Sequence, residues 1–129
     1  MHQPYEEKTK HKADFRIKYR FYKPEEGGRM KLPYQGIRFD FWYEHPENKE
    51  NSVFMIWPEF EDEEQDLILD QTNPVLESGT ARMWVISSKM REYHRNKIKV
   101  GVLGYFFEAR RVAECEVIEI IGLLENPTD

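Results

Sequence analysis

The chain reads as an all-β protein, a closed antiparallel barrel or a sandwich of short strands. Three observations carry that reading. Segments of alternating character recur along 129 residues, with polar and glycine-containing turns between them. No convincing long helix interrupts them. Aromatic side chains make up 14% of the chain, enough to fill the interior of a small barrel.

The first strand is predicted over Phe15–Tyr22. Phe15, Ile17, Tyr19 and Phe21 share one face, and Arg16, Lys18 and Arg20 share the other. Pro24-Glu25-Glu26-Gly27-Gly28-Arg29 follows, where paired glycines admit positive φ and bend the ribbon back on itself. Ile37–Glu44 repeats the alternation. Val53–Trp57 is a short, nearly continuous apolar run that suits a strand buried on both faces, and Pro58 marks its end. Leu67-Ile68-Leu69 reads as another short strand. Ala81–Val85 alternates again. Ser88–Asn96 is a polar connection with room for one helical turn. Ile98–Phe107 resumes the alternation, with Gly101 and Gly104 suggesting a bulge or tight bend. Glu108-Ala109-Arg110-Arg111 suits a hairpin connection, and Val112–Leu124 is the last strand.

The chain length fits one domain with its own core. The expected division is an N-terminal tail over 1–13, a single barrel domain over 14–124 and a C-terminal tail over 125–129. The lone Cys115 excludes an internal disulfide and reads as a structural residue. Absence of a cysteine framework, of an apolar leader and of a long apolar run predicts a cytoplasmic, non-membrane protein.

The formal net charge is −5, which argues against indiscriminate nucleic-acid binding. Its distribution is uneven. Lys8 to Lys23 is basic, Glu44 to Glu77 is acidic, and Arg82 to Arg111 is basic again. Two basic blocks can meet on one barrel face, or can pair with acids across strands.

No spacing of His2, His11, His45 and His94 with cysteine or acid supports a metal site, and His94 reads as a surface residue. The acidic run from Glu59 to Asp66 lacks the glycine of a calcium loop and reads as solvated. No nucleophile motif is present. Trp42 and Trp84 fall on the opposite parity from the apolar residues of their strands. They are therefore candidate exposed aromatics beside Arg38 and Arg82, suited to RNA, a protein or a second copy of the chain.

The order of motifs resembles the C-terminal β-barrel domain of elongation factor Tu. In that family a strand enters an acidic Glu-Gly-Gly-Arg loop, then a proline-containing segment, then a strand opened by Gly-aromatic-Arg. Here the matching residues are Phe15–Tyr22, Glu25–Arg29, Pro33, Gly36-Ile37-Arg38 and Phe39-Asp40-Phe41. A later hairpin of the family is matched by Tyr105–Phe107, Glu108–Arg111 and Val112–Ile121. The likeness spans about Asp14 to Leu123. It implies a closed, six-stranded Greek-key barrel that contacts RNA or a protein partner. Ala109 and Arg110 replace the glycines of the second hairpin, so close backbone approach to RNA is not expected there. No Gly-x-x-x-x-Gly-Lys-Ser/Thr segment is present, so neither nucleotide binding nor GTP hydrolysis is expected.

The resulting expectation is a non-catalytic binding module without cofactor. Its partner is a protein or a structured, tRNA-like RNA. The partner-binding candidates are Arg29, Arg38, Trp42, Arg82, Trp84, Arg110 and Arg111. An alternative is an immunity-type inhibitor that steers a basic target with Glu59, Glu61, Glu63 and Glu64. A third reading is a small enzyme whose site forms only in three dimensions.

Overall fold

The computed structural model describes all residues, 1–129. Six strands form one antiparallel sheet: β1 (Phe15–Phe21), β2 (Asp40–Tyr43), β3 (Ile56–Phe60), β4 (Ser78–Val85), β5 (Leu103–Glu108) and β6 (Arg110–Ile120). Their spatial order is β2-β5-β6-β1-β4-β3. Two helices are added, α1 (Tyr5–Thr9) and α2 (Ser88–Arg95).

The mostly-β class is as expected, but the sheet is an open half-barrel and not a closed one. Its outer strands, β2 and β3, form no ladder with each other; the isolated bridge there joins Phe41 of β2 to Phe54, two residues before β3. Both strands are short, and the outer edge of β3 is already occupied. The Phe60 N–H donates to Gln35 Oε1 at 2.9 Å, and Gln35 Nε2 donates back to the Phe60 carbonyl at 2.9 Å. Pro58 sits within β3, opposite Met83, and has no N–H to offer a further strand. A proline expected to end this strand therefore lies inside it, as an edge position allows.

β1 lies at the centre because its alternation satisfies a sheet with one wet face. Its apolar residues point inward, and the opposite set carries charges that pair across strands. Arg20 Nε reaches Glu114 at 2.8 Å, and Lys18 Nζ reaches Glu116 at 3.5 Å. Two bulges, one opposite Arg16/Ile17 and one at Phe106/Phe107, increase the local twist and curl the sheet. The curl encloses a cluster of 20 buried side chains. Phe21, Phe39, Phe60 and Phe106 meet at its centre, with Phe39 stacked on Phe106 at 5.4 Å. Each such ring contributes roughly 1.5–3 kcal/mol through burial. Gly104 is required where β5 passes β2, since a Cβ there would lie 2.9 Å from Phe41 Cζ and overlap the Trp42 carbonyl.

The doubled glycine turns the chain, as expected. Gly27 takes φ +92° after a short 3-10 turn at Pro24–Glu26. The strands it separates are not neighbours, however. β1 pairs with β4 and β6, and β2 pairs with β5. Leu67–Leu69 forms no strand and contributes only a bridge from Leu67 to Glu61. Ser88–Asn96 holds a true helix.

Both ends are packed against the domain. Asn126 Nδ2 donates to the Lys12 carbonyl at 2.8 Å and to Asp14 Oδ1 at 3.0 Å. The His2 N–H donates to the Leu69 carbonyl at 2.8 Å. Residues 1–13 thus run along the outer face of β3 and β4.

Candidate functional site

Glu59 anchors that N-terminal segment. It is buried, and its carboxylate accepts from Trp84 Nε1 at 2.8 Å, the Tyr5 N–H at 2.9 Å and His2 Nε2 at 2.5 Å. A carboxyl group can be buried when several donors satisfy it. Trp84, expected at the surface, is only 2% exposed. Tyr5 meets its ring edge-on at 5.8 Å, and His11 lies 5.7 Å away. Trp84 does point to the face of the sheet away from the core, as its parity requires. A segment beyond the strand then covers it.

The same segment forms one wall of a cleft of about 470 Å³. Trp57 and Trp84 are opposite each other on β3 and β4 and supply the floor. Tyr5, Lys8 and His11 come from the N-terminal segment, and Arg38 lies over the Trp57 ring at 4.8 Å. No Asp or Glu lines the cleft, although the chain carries 24 of them. Lys8 and Arg38 make no ion pair. Arg91, at the base, is committed to Asp14, the Val85 carbonyl and the Pro127 carbonyl. Burial, reinforced by the charge of Glu59, raises the Tyr5 phenol above its ordinary pKa, so it faces the cleft as a neutral donor. Ser88 places the start of α2 at the rim, and no side chain caps that helix. The arrangement suits an anion that carries a flat ring.

The other candidates lie elsewhere. Trp42 stacks on Tyr105 at 5.1 Å, and Arg111 covers Tyr105 at 4.1 Å. They line a second cavity, about 640 Å³. There Lys18, Arg20 and Arg111 face Glu44, Glu114 and Glu116, so the charges balance. Arg29 reaches Glu108 at 3.2 Å. Arg110 Nε donates to the Gly27 carbonyl at 2.6 Å, and Arg110 Nη2 donates to the Gly28 carbonyl at 3.2 Å. The two glycine- and arginine-bearing loops are thereby joined to each other.

Arg82 and Glu61 belong to a network on the outer face. Buried Glu61 accepts from Arg16 at 2.7 Å, Thr80 at 2.6 Å and Arg82 at 2.8 Å. Burial alone would raise its pKa, but these bonds outweigh that cost and lower it. Of the four acids that could steer a target, Glu61 is therefore paired internally with Arg16 and Arg82, and Glu59 is a buried acceptor for the N-terminal segment and Trp84. Glu63 and Glu64 remain exposed in a turn where Asp62 Oδ1 accepts the Glu64 and Asp66 N–H groups.

His94 is a core residue, contrary to the surface reading. It is fully buried, 2.6 Å from the Tyr43 hydroxyl through Nδ1, and packed edge-on against Phe54 at 4.7 Å. Burial, with Lys97 and Arg91 nearby, lowers its pKa to about 4. Cys115 is buried, and burial pushes its thiol pKa up, which makes it a poor nucleophile. No group of three or more His, Cys, Asp or Glu side chains is placed to hold a metal ion, and no helix is long and apolar enough to cross a membrane.

Arg38, Trp84 and Trp57 stand out in the sequence, Trp57 as one of the aromatic residues suited to a stacking platform, but nothing there marks Tyr5, Lys8 and His11 as their neighbours. The position of Trp57 next to Pro58 marks an edge strand with one face turned outward. No protein-family model matches the chain, and no curated protein matches it.

Proposed function

We propose that the chain is a non-catalytic binding module, akin to the translation-factor barrel whose motif order it resembles, and that it holds structured RNA. The observation that carries this reading is the acid-free cleft, with unpaired Lys8 and Arg38 beside Trp57. Phosphates attract such cations, and stacked rings retain bases, without a net positive charge on the whole molecule. The balanced charges of the larger cavity favour it less for a polyanion. Arg29 and Arg110 act within the fold, so the RNA contact falls to Arg38 and its new neighbours.

A protein partner is the second reading, favoured by Glu63 and Glu64 at an exposed turn. The two separate by titration. A fluorescein-labelled transfer RNA should bind at about 50 mM salt and lose affinity steeply by about 200 mM. Lys8→Glu with Arg38→Glu should weaken it at least tenfold. No binding at low salt ends the RNA reading. A protein complex instead should respond to Glu63→Lys with Glu64→Lys.

A further inference from the structure

The cleft has a size and a lining that discriminate among RNA structures. It is a half-open cleft of about 470 Å³, within the roughly 300–1,000 Å³ of pockets that hold one small molecule. A duplex exposes backbone and groove edges but keeps the faces of its bases stacked, so rings inside the cleft have nothing to engage on it. An unpaired nucleotide presents both a ring face and a phosphate.

The residues provide for both parts. Arg38 over Trp57 forms a flat, layered platform, and bases stack on guanidinium planes as well as on aromatic rings. Lys8 and Arg38 supply positive charge at a surface that no Asp or Glu lines, the Glu59 carboxylate lying behind Tyr5 and Trp84 and bonded to them. His11 Nδ1 lies 2.8 Å from the Lys12 carbonyl and donates to it, which leaves Nε2 as the ring nitrogen available to a base. Tyr5 adds a hydroxyl donor.

We infer that this cleft takes a single unpaired nucleotide, its base on the Arg38–Trp57 platform and its phosphate between Arg38 and Lys8. The inference rests on the RNA reading above and specifies which part of the RNA is held.

The test compares two labelled RNA hairpins by fluorescence anisotropy at low salt, both closed by a non-nucleotide linker so that neither has an unpaired loop, one blunt and one with a four-nucleotide single-stranded overhang. The overhang should improve affinity about tenfold, in line with the loss of one stacked base. Trp57→Leu keeps apolar bulk and removes the ring face. It should cut overhang binding to the blunt level, a far larger loss than blunt binding suffers. Trp57→Tyr should restore the difference, which a merely structural defect would not allow. Equal binding of the two hairpins to the unmodified protein overturns the inference and leaves the RNA reading standing. Equal losses on both hairpins in Trp57→Leu also overturn it. Failure of both hairpins to bind removes the RNA reading and the inference with it.

Discussion

Arg91 Nε lies 2.8 Å from Asp14 Oδ1, and both side chains are closed off from solvent. The pair joins α2 to the start of β1, 77 residues away. Asp14 also accepts the Val85 N–H at 2.8 Å. Each charge is tolerable only because the other is there. Arg91→Met should therefore cost about 3–5 kcal/mol, the usual consequence of stranding a buried charge. The double variant with Asp14→Leu should cost less than the sum of the single changes. Urea unfolding of the four proteins checks this.

His94 predicts acid sensitivity. Its folded pKa is about 4, below the ordinary value near 6.5. Between those values the unfolded chain binds the proton and the folded chain does not, so stability rises with pH across that window. The contribution is complete above about pH 6.5 and is lost as pH falls toward 4, amounting to about 3 kcal/mol. His94→Phe should flatten this part of the stability profile, measured by denaturant unfolding at several pH values.

The paired glycines should differ in their tolerance. A Cβ on Gly28 would overlap the Tyr22 carbonyl, whereas one on Gly27 meets nothing within 4 Å. Gly27→Ala suffers only from its φ of +92°, a cost of about 1–2 kcal/mol. Gly28→Ala forces the backbone to move, which costs ~1–3 kcal/mol and disturbs the carbonyls that Arg110 holds. Thermal unfolding, together with loss of the Arg110 contact in an Arg110→Ala comparison, distinguishes the two effects.

The proposed RNA contact predicts a countable salt effect. Replacing Arg38 by Gln should lower the slope of log affinity against log salt by about 0.7, the contribution of one phosphate contact on a single strand. Arg110→Gln should leave the slope unchanged, because its guanidinium is bound to main-chain carbonyls. Anisotropy titrations at four salt concentrations decide it.

The half-buried strands were legible because one face of each meets the core. Phe15, Ile17, Tyr19 and Phe21 are all buried, and the period of two can have no other cause in so short a run. The open edge was not legible. At Phe60 it is occupied by the Gln35 amide, whose hydrogen bonds cross 25 residues and leave no local pattern. The site was half legible for a similar reason. Arg38 and Trp84 carried a visible parity, but the segment from His2 to His11 is polar and looks like a tail. Its order comes from one buried carboxylate, Glu59, which the acidic run around it made look solvated.

The outer edge of β3 carries a consequence for crowded conditions. Open sheets invite intermolecular strand addition, the first step of fibrous polymerisation. Here an incoming strand would meet a proline lacking a donor at position 58 and, at Phe60, main-chain groups already taken by Gln35. Incomplete closure therefore leaves this margin without a template on which other molecules could grow.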